Sequence, residues 1–129
     1  MLSLNKVHHI AIIASDYERS KNFYIEVLGL TPTLEVYREE RKSYKLDLAL
    51  NGEYVLELFS FPDTPNRLSR PEAAGLRHLA FEVEDVQSAV RQLASYGVVA
   101  EPIRLDENTQ KQFTFIFDPD DLPIELYQK

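Results

Sequence analysis

Apolar positions along the chain fall into short runs separated by turn residues, and the order of those runs repeats. Val7-His8-His9-Ile10-Ala11-Ile12-Ile13 reads as a strand of branched residues, and Leu76-Arg77-His78-Leu79-Ala80-Phe81-Glu82 echoes it with a histidine in the same place. Alternation puts His9 on a face with Val7, Ala11 and Ile13, and His8 on the other with Ile10 and Ile12. Both faces are mostly apolar, which predicts burial on both sides. Asp16 and Asp85, each seven residues after a histidine, are candidate N-caps for helical patterns over Tyr17 to Val27 and from Val86 to Tyr96. Gly29 and Gly97 close those patterns.

Three strands are predicted to follow in each half: Thr31 to Arg38, Tyr44 to Leu50 and Glu53 to Ser60, then Val98 to Leu105, Phe113 to Phe117 and Leu122 to Tyr127. Asn51-Gly52 is the strongest hairpin signal. Asp118-Pro119-Asp120-Asp121 is a turn whose fourth position holds aspartate where glycine would be easier. The stretch 61–74, with three prolines and no periodicity, reads as the connection between halves and as a loop long enough to lie over a site. The pattern therefore predicts an α+β protein of two βαβββ modules, module one about 4–61 and module two about 75–129. Neither module has much core of its own, so they should pack as one domain or exchange with a partner chain.

Composition narrows the classes. A chain of 129 residues is one domain's worth, and 44% hydrophobic with 27% charged residues is ordinarily globular. A net charge of −7 argues against a nucleic-acid surface. With no cysteine, disulfides, thiolate metal sites and cysteine nucleophiles are excluded, so any metal must be held by nitrogen and oxygen. The first residues lack the apolar core of a signal peptide and no run reaches membrane-spanning length, so the expectation is a cytoplasmic protein without a membrane or nucleic-acid partner.

The candidate chemistry lies in the repeat. Glu57 sits among Val55, Leu56, Leu58 and Phe59, and Glu125 among Ile124, Leu126 and Tyr127. A carboxylate in such a run wants a cation or strong donors, because burying it unpaired costs several kcal/mol. Taken alone, each could be satisfied by an ion pair, Glu57 for instance with Arg77 or Lys45. The histidines and glutamates recur in register, however, with offsets of 69 (His9 to His78) and 68 (Glu57 to Glu125). Two imidazoles and two carboxylates suit Zn²⁺, Ni²⁺, Co²⁺, Mn²⁺ or Fe²⁺.

These motifs resemble the vicinal oxygen chelate superfamily, which includes glyoxalase I, fosfomycin-resistance proteins, extradiol dioxygenases, methylmalonyl-CoA epimerase and bleomycin-binding proteins. The likeness runs from Val7-His8-His9-Ile10-Ala11-Ile12 through Phe23-Tyr24-Ile25-Glu26-Val27-Leu28-Gly29-Leu30 to Asp118-Pro119-Asp120-Asp121-Leu122-Pro123-Ile124-Glu125-Leu126. It implies a glyoxalase-like, partly open eight-stranded barrel around a metal site, with His9, Glu57, His78 and Glu125 as ligands, the full set of bacterial glyoxalase I. His8 is off-register by one and reads as a core or hydrogen-bonded histidine. The resemblance further implies a metal-dependent lyase or isomerase of the glyoxalase I type, working through a metal-chelated enediolate on a small vicinal-oxygen substrate. Glu125 would be the base, and Glu57 a spectator ligand or second shuttle.

One departure bears on substrate. Glyoxalase I proteins resembling this chain carry an arginine four residues after the first histidine, which anchors a glutathione carboxylate; Ile13 stands there here. Lys45, Arg67, Arg70 and Lys111 are other candidate cations, each otherwise an ordinary surface charge. Phe113, Phe115 and Phe117 alternate on one strand face and are expected in the core. Of the other activities in the superfamily, a ring-cleaving dioxygenase leaves Glu57 surplus, and a fosfomycin-type transferase wants a potassium- and phosphonate-binding loop that is not found. A bleomycin-resistance-like binding protein usually lacks the metal residues. In this family the two histidine–glutamate pairs meet within one chain or across a dimer. A homodimer is expected, since paired modules leave sheet edges to cover.

Overall fold

A computed structural model describes residues 1–129 and divides the chain into two compact units, Met1–Asn66 and Arg67–Lys129. Each unit is a four-stranded mixed sheet with one helical segment, and the eight strands form two separate sheets. No helix is long and apolar enough to cross a membrane.

In the first unit, β1 (Ile10–Ala14) leads into α1 (Tyr17–Asn22), then β2 (Thr31–Arg38), β3 (Ser43–Leu50) and β4 (Glu53–Ser60). The sheet order is β1-β4-β3-β2, with β1 parallel to β4 and the other pairs antiparallel. Asp16 caps α1, its carboxylate accepting from the Arg19 amide at 3.2 Å. Beyond Asn22 the helix widens into a π-helical turn over Phe23–Val27, and Tyr24 within it is fully buried, as are Leu46, Leu48 and Leu58 of the sheet. Asn51 and Gly52 both have positive φ (50° and 83°), the conformation that makes Asn-Gly a preferred two-residue hairpin.

The first strand is shorter than its sequence suggests and buried on one side only. Its ladder starts at Ile10 opposite Leu56, so Val7, His8 and His9 precede it. Ile12 and Ala14 are buried, whereas Ala11 and Ile13 are exposed, Ile13 by 52%. One helical segment can cover one face of this sheet, and within the unit the face shared by Ala11, Ile13, Lys45, Asp47 and Glu57 has no second layer.

The second unit repeats the order with β5 (Leu79–Val83), α2 (Val86–Ala94), β6 (Arg104–Leu105), β7 (Gln112–Phe117) and β8 (Pro123–Gln128). Its sheet runs β5-β8-β7-β6, with β5 parallel to β8. Asp85 caps α2 by accepting from the amides of Gln87 and Ser88. Gly97 (φ 78°) ends the helical segment in a Schellman arrangement: the Val98 amide donates to the Leu93 carbonyl and the Gly97 amide to that of Ala94. Val86, Ile116 and Ile124 form the fully buried centre.

Two expected strands shrink here. Only Arg104–Leu105 of the 98–105 run is ladder-paired, because Pro102 has no amide proton to give. The segment still follows β7, through Glu101 N–H to the Phe115 carbonyl (2.9 Å) and the Thr114 hydroxyl to the Glu101 carbonyl (2.6 Å). β5 starts at Leu79 opposite Ile124, immediately after Pro123, where β8 again lacks a donor. Asp121 adopts φ 66° in the turn before β8, the glycine-like conformation anticipated there.

Candidate functional site

The two parallel strand pairs repeat one geometry. Ala11 stands opposite Glu57 in β1–β4, and Ala80 opposite Glu125 in β5–β8. Each alanine is two residues after the histidine of its unit, so His9 and His78 occupy equivalent positions just ahead of their strands.

In the first unit this brings a histidine and a carboxylate together. His9 Nε2 lies 3.7 Å from Glu57 Oε1. The other carboxylate oxygen of Glu57 faces Lys45 Nζ at 3.2 Å, and Lys45 also reaches Asp47 Oδ1 at 2.8 Å. The Tyr54 hydroxyl donates to the same Asp47 oxygen at 3.2 Å. The side chains of Glu57, Lys45 and Asp47 are 14%, 17% and 15% exposed, so the group is sheltered without being sealed. The hydrogen bond to Asp47 holds the Lys45 ammonium above its ordinary pKa, with Glu57 adding to it. Burial raises the Tyr54 hydroxyl, and the charges of Asp47 and Glu57 raise it further. Of the two ion partners the sequence allows for Glu57, Lys45 is the one present. Arg77 instead pairs with Glu72, its Nε 2.6 Å from Oε2.

His8 is neither a core residue nor part of the strand. It is exposed, and its Nδ1 is 2.9 Å from His9 Nδ1, so its hydrogen-bonded role is the one observed. If His9 Nδ1–H donates in that contact, the lone pair of His9 Nε2 is left facing Glu57. The Tyr54 ring stacks on His9 with centroids 5.0 Å apart and planes 19° apart, and meets His8 edge-on.

In the second unit Glu125 is half-buried between Ala80 on β5 and Phe115 on β7. His78 packs edge-on against the Phe115 ring (5.2 Å) and its Nδ1 accepts from Arg77 Nη1 at 3.0 Å. Arginine can only donate, so this contact puts the proton of a neutral His78 on Nε2. Use of His78 Nε2 as a ligand therefore requires Arg77 to move away.

The second unit also holds a cavity of about 260 Å³ that the sequence reading missed. Phe115 and Phe117 line it: Phe115 is buried, as the sequence predicts, while Phe117 is half-buried at the cavity wall. Thr114 and Ile116 fill the opposite face of β7. Arg67 and Arg70 line the cavity as well, from the irregular stretch after residue 66. Lys111 is exposed in the turn between β6 and β7. Asp47, Tyr54 and Arg104 were also missed; the Lys45-x-Asp47 spacing on one strand face was the available signal for the first of them.

The donor set fits a divalent ion. Two donors each ~2.1 Å from one ion stand roughly 3 to 3.5 Å apart, close to the observed separation of His9 and Glu57. No group of three or more histidine, aspartate or glutamate side chains that could hold a metal is assembled in this structure: His9 and Glu57 stand together in the first unit, while in the second His78 is held by Arg77 and Phe115.

Paired βαβββ units, each with a histidine just ahead of its first strand and a glutamate at a matching position on its last, define a protein of glyoxalase-like architecture. A profile of the Glyoxalase/Bleomycin resistance protein/Dioxygenase superfamily matches residues 6–126, and the chain belongs to that superfamily, the vicinal oxygen chelate group the motifs resemble. It is 63% identical to the uncharacterized protein YaeR of Escherichia coli over 129 residues, all of both chains. It is 30% identical over 146 residues to lactoylglutathione lyase of Schizosaccharomyces pombe, covering 97% of this chain and 48% of that protein. Among solved structures it is similar to a glyoxalase family protein from Enterococcus faecalis, with a TM-score of 0.88 and 47% identity over 95% of this chain and 97% of that one.

Proposed function

We propose that this protein is a metal-dependent lyase or isomerase of the glyoxalase I type, acting on a small substrate with oxygens on adjacent carbons. One observation carries the reading. The backbone register of the first unit recurs in the second, with Ala11 opposite Glu57 and Ala80 opposite Glu125, each alanine two residues after the histidine of its unit. The 30% identity to a lactoylglutathione lyase supports the same class.

His9, Glu57, His78 and Glu125 would hold the ion. When bound, it supplies Lewis-acid polarisation of the substrate oxygens and so acidifies the neighbouring C–H. The chain divides the remaining work between its carboxylates. Glu57 is fixed by Lys45 and suits a ligand that stays in place. Glu125 forms no ion pair with a neighbouring cation, so its carboxylate is the one suited to take a proton from one carbon and return it to the next. Phe115 beside it keeps water from that carboxylate on one side. Each unit supplies half of the ligands and leaves sheet edges at its outer strands, which is why a homodimer in the cytoplasm belongs to this reading.

The test is proton exchange. Metal-loaded protein is incubated in D₂O with hemithioacetals of 2-oxoaldehydes and several thiols, and exchange at the carbon is followed by NMR. Exchange that depends on metal and is lost in Glu125→Gln supports the reading. Exchange unchanged by Glu125→Gln, or none with any thiol under each of the five metals, contradicts it.

A further inference from the structure

We infer that the cavity of the second unit is an anion site, built for the carboxylate or phosphoryl group of a small organic acid whose body rests on Phe115 and Phe117. The inference rests on the enzyme reading above and names the chemical class of its substrate. Charge is the first argument. The chain carries −7 overall, yet the cavity is lined by four arginines and two glutamates.

The partners of those arginines are the second argument. Arg77 is paired with Glu72, Arg104 with Glu101 (3.2 Å) and Arg70 with Asp121 (2.6 Å). Arg67 has no carboxylate. Its Nε donates to the Ser69 hydroxyl at 2.9 Å, and its Nη2 to the carbonyls of Leu76 and Arg77 at 2.6 and 3.1 Å. That leaves a positive charge held by neutral oxygens. The pair Arg104–Glu101 is exposed and weak, and a ligand anion can replace its carboxylate.

Preorganisation is the third argument. The Arg104 guanidinium lies 5.0 Å from the Phe113 ring centre and 5.6 Å from that of Phe115, and Arg70 lies 5.0 Å from Phe117. Stacking on a ring face fixes the planar cation while leaving its N–H edge for a planar or phosphoryl acceptor. An apolar wall with a few fixed charges is the usual form of a small-molecule site. The cavity also adjoins His78, which Arg77 reaches and Phe115 touches from its lining.

Calorimetric titration of the full chain at constant ionic strength, as purified and again after chelation, tests this with benzoate, phenyl phosphate and neutral benzamide. At least one anion should bind ten times more tightly than benzamide, and the tighter of the two identifies the headgroup. Arg104→Gln should weaken it about tenfold, and Glu101→Gln should strengthen it severalfold by removing the competing carboxylate. Benzamide binding as well as the anions, no binding of either anion, or Glu101→Gln at or below the wild-type affinity would overturn the inference. Anion binding that survives chelation in a protein without metal-dependent exchange would sink the enzyme reading alone. Metal-dependent exchange without anion selectivity would sink this one alone.

Discussion

Lys45 fastens Glu57 from the neighbouring strand: its Nζ stands 3.2 Å from Glu57 Oε2, while Oε1 faces His9 Nε2 at 3.7 Å. The ammonium thus occupies one carboxylate oxygen and leaves the other turned toward the imidazole. Asp47, directly across from Glu57 in the ladder, holds the same ammonium at 2.8 Å. Removing the lysine leaves two sheltered carboxylates without a cation. Lys45→Met should therefore lose about 2 kcal/mol of stability in metal-free protein, since breaking a sheltered ion pair strands the remaining charge. Added Zn²⁺ or Ni²⁺ should raise the melting temperature more in this variant than in wild type. Thermal melts with and without metal check both; an equal metal-induced shift would mean that Lys45 and the ion do not share Glu57.

His8 is predicted to matter through its neighbour. Its Nδ1 contact with His9 Nδ1 orients the ring whose Nε2 faces Glu57. Partners of this kind typically contribute 10–100-fold to metal affinity. His8→Ala should weaken metal binding about tenfold, read by competition with a chromogenic chelator, while leaving the far-ultraviolet circular dichroism unchanged. Wild-type affinity in His8→Ala would show that the contact has no orienting role.

The outer face of the first unit carries a pH-dependent contribution. Lys21 donates to Glu35 at 2.7 Å, and the Tyr17 hydroxyl donates to the same carboxylate. The Lys21 contact, then that of Tyr17, hold Glu35 below its ordinary value of 4.5. A carboxylate depressed in the folded state stabilises it above the unfolded pKa, and that contribution is lost as pH falls from there through the folded pKa. With the Glu35 side chain 40% exposed, screening limits the effect to roughly 0.5 kcal/mol. Urea titrations at pH 7 and pH 3.5 should show Glu35→Gln less stable than wild type at pH 7 and nearly equal to it at pH 3.5. An undiminished gap at pH 3.5 would contradict the assignment.

Asp118 sets the entry to the last strand. Its carboxylate accepts from the amides of Asp120 (2.9 Å) and Leu122 (2.8 Å) and is 5% exposed. Asp118→Ala leaves those donors short of a partner in a turn that already holds Asp121 at positive φ, and should cost about 2–3 kcal/mol. Because the turn leads directly into Glu125, the variant should also bind metal more weakly. A denaturation midpoint unchanged by the substitution would rule out this role.

What could be read from the residues, and what could not, follows from the range of each signal. Asp16, Asp85, Asn51-Gly52 and Asp121 act through local backbone chemistry, and all appear where the sequence places them. The recurrence of Glu57 as Glu125 is a statement about registry, and the parallel ladders reproduce it opposite Ala11 and Ala80, with His9 and His78 each just ahead of its ladder. Which side of a strand gains a covering layer is not local. An alternating run such as Phe113-x-Phe115-x-Phe117 looks the same whether it faces a core or a cavity; Phe115 is buried and lines the cavity as well, while Phe113 and Phe117 are only half-buried. Pro102 and Pro123 shorten ladders for a local reason that the apolar runs around them masked. The Lys45–Glu57 pair depends on β3 and β4 standing side by side, which the hairpin implied. The Arg77–His78 contact is sequence-adjacent, yet it depends on a side-chain orientation that no pattern reports.

A four-ligand metal site is tested most directly by elemental analysis of the protein as purified, beside Glu57→Ala and Glu125→Ala. The wild type should carry close to one equivalent of Zn, Ni, Co, Mn or Fe per chain, lost or much reduced in both variants. A wild type that stays metal-free after dialysis against each of these ions would contradict such a site, as would full metal content in either variant.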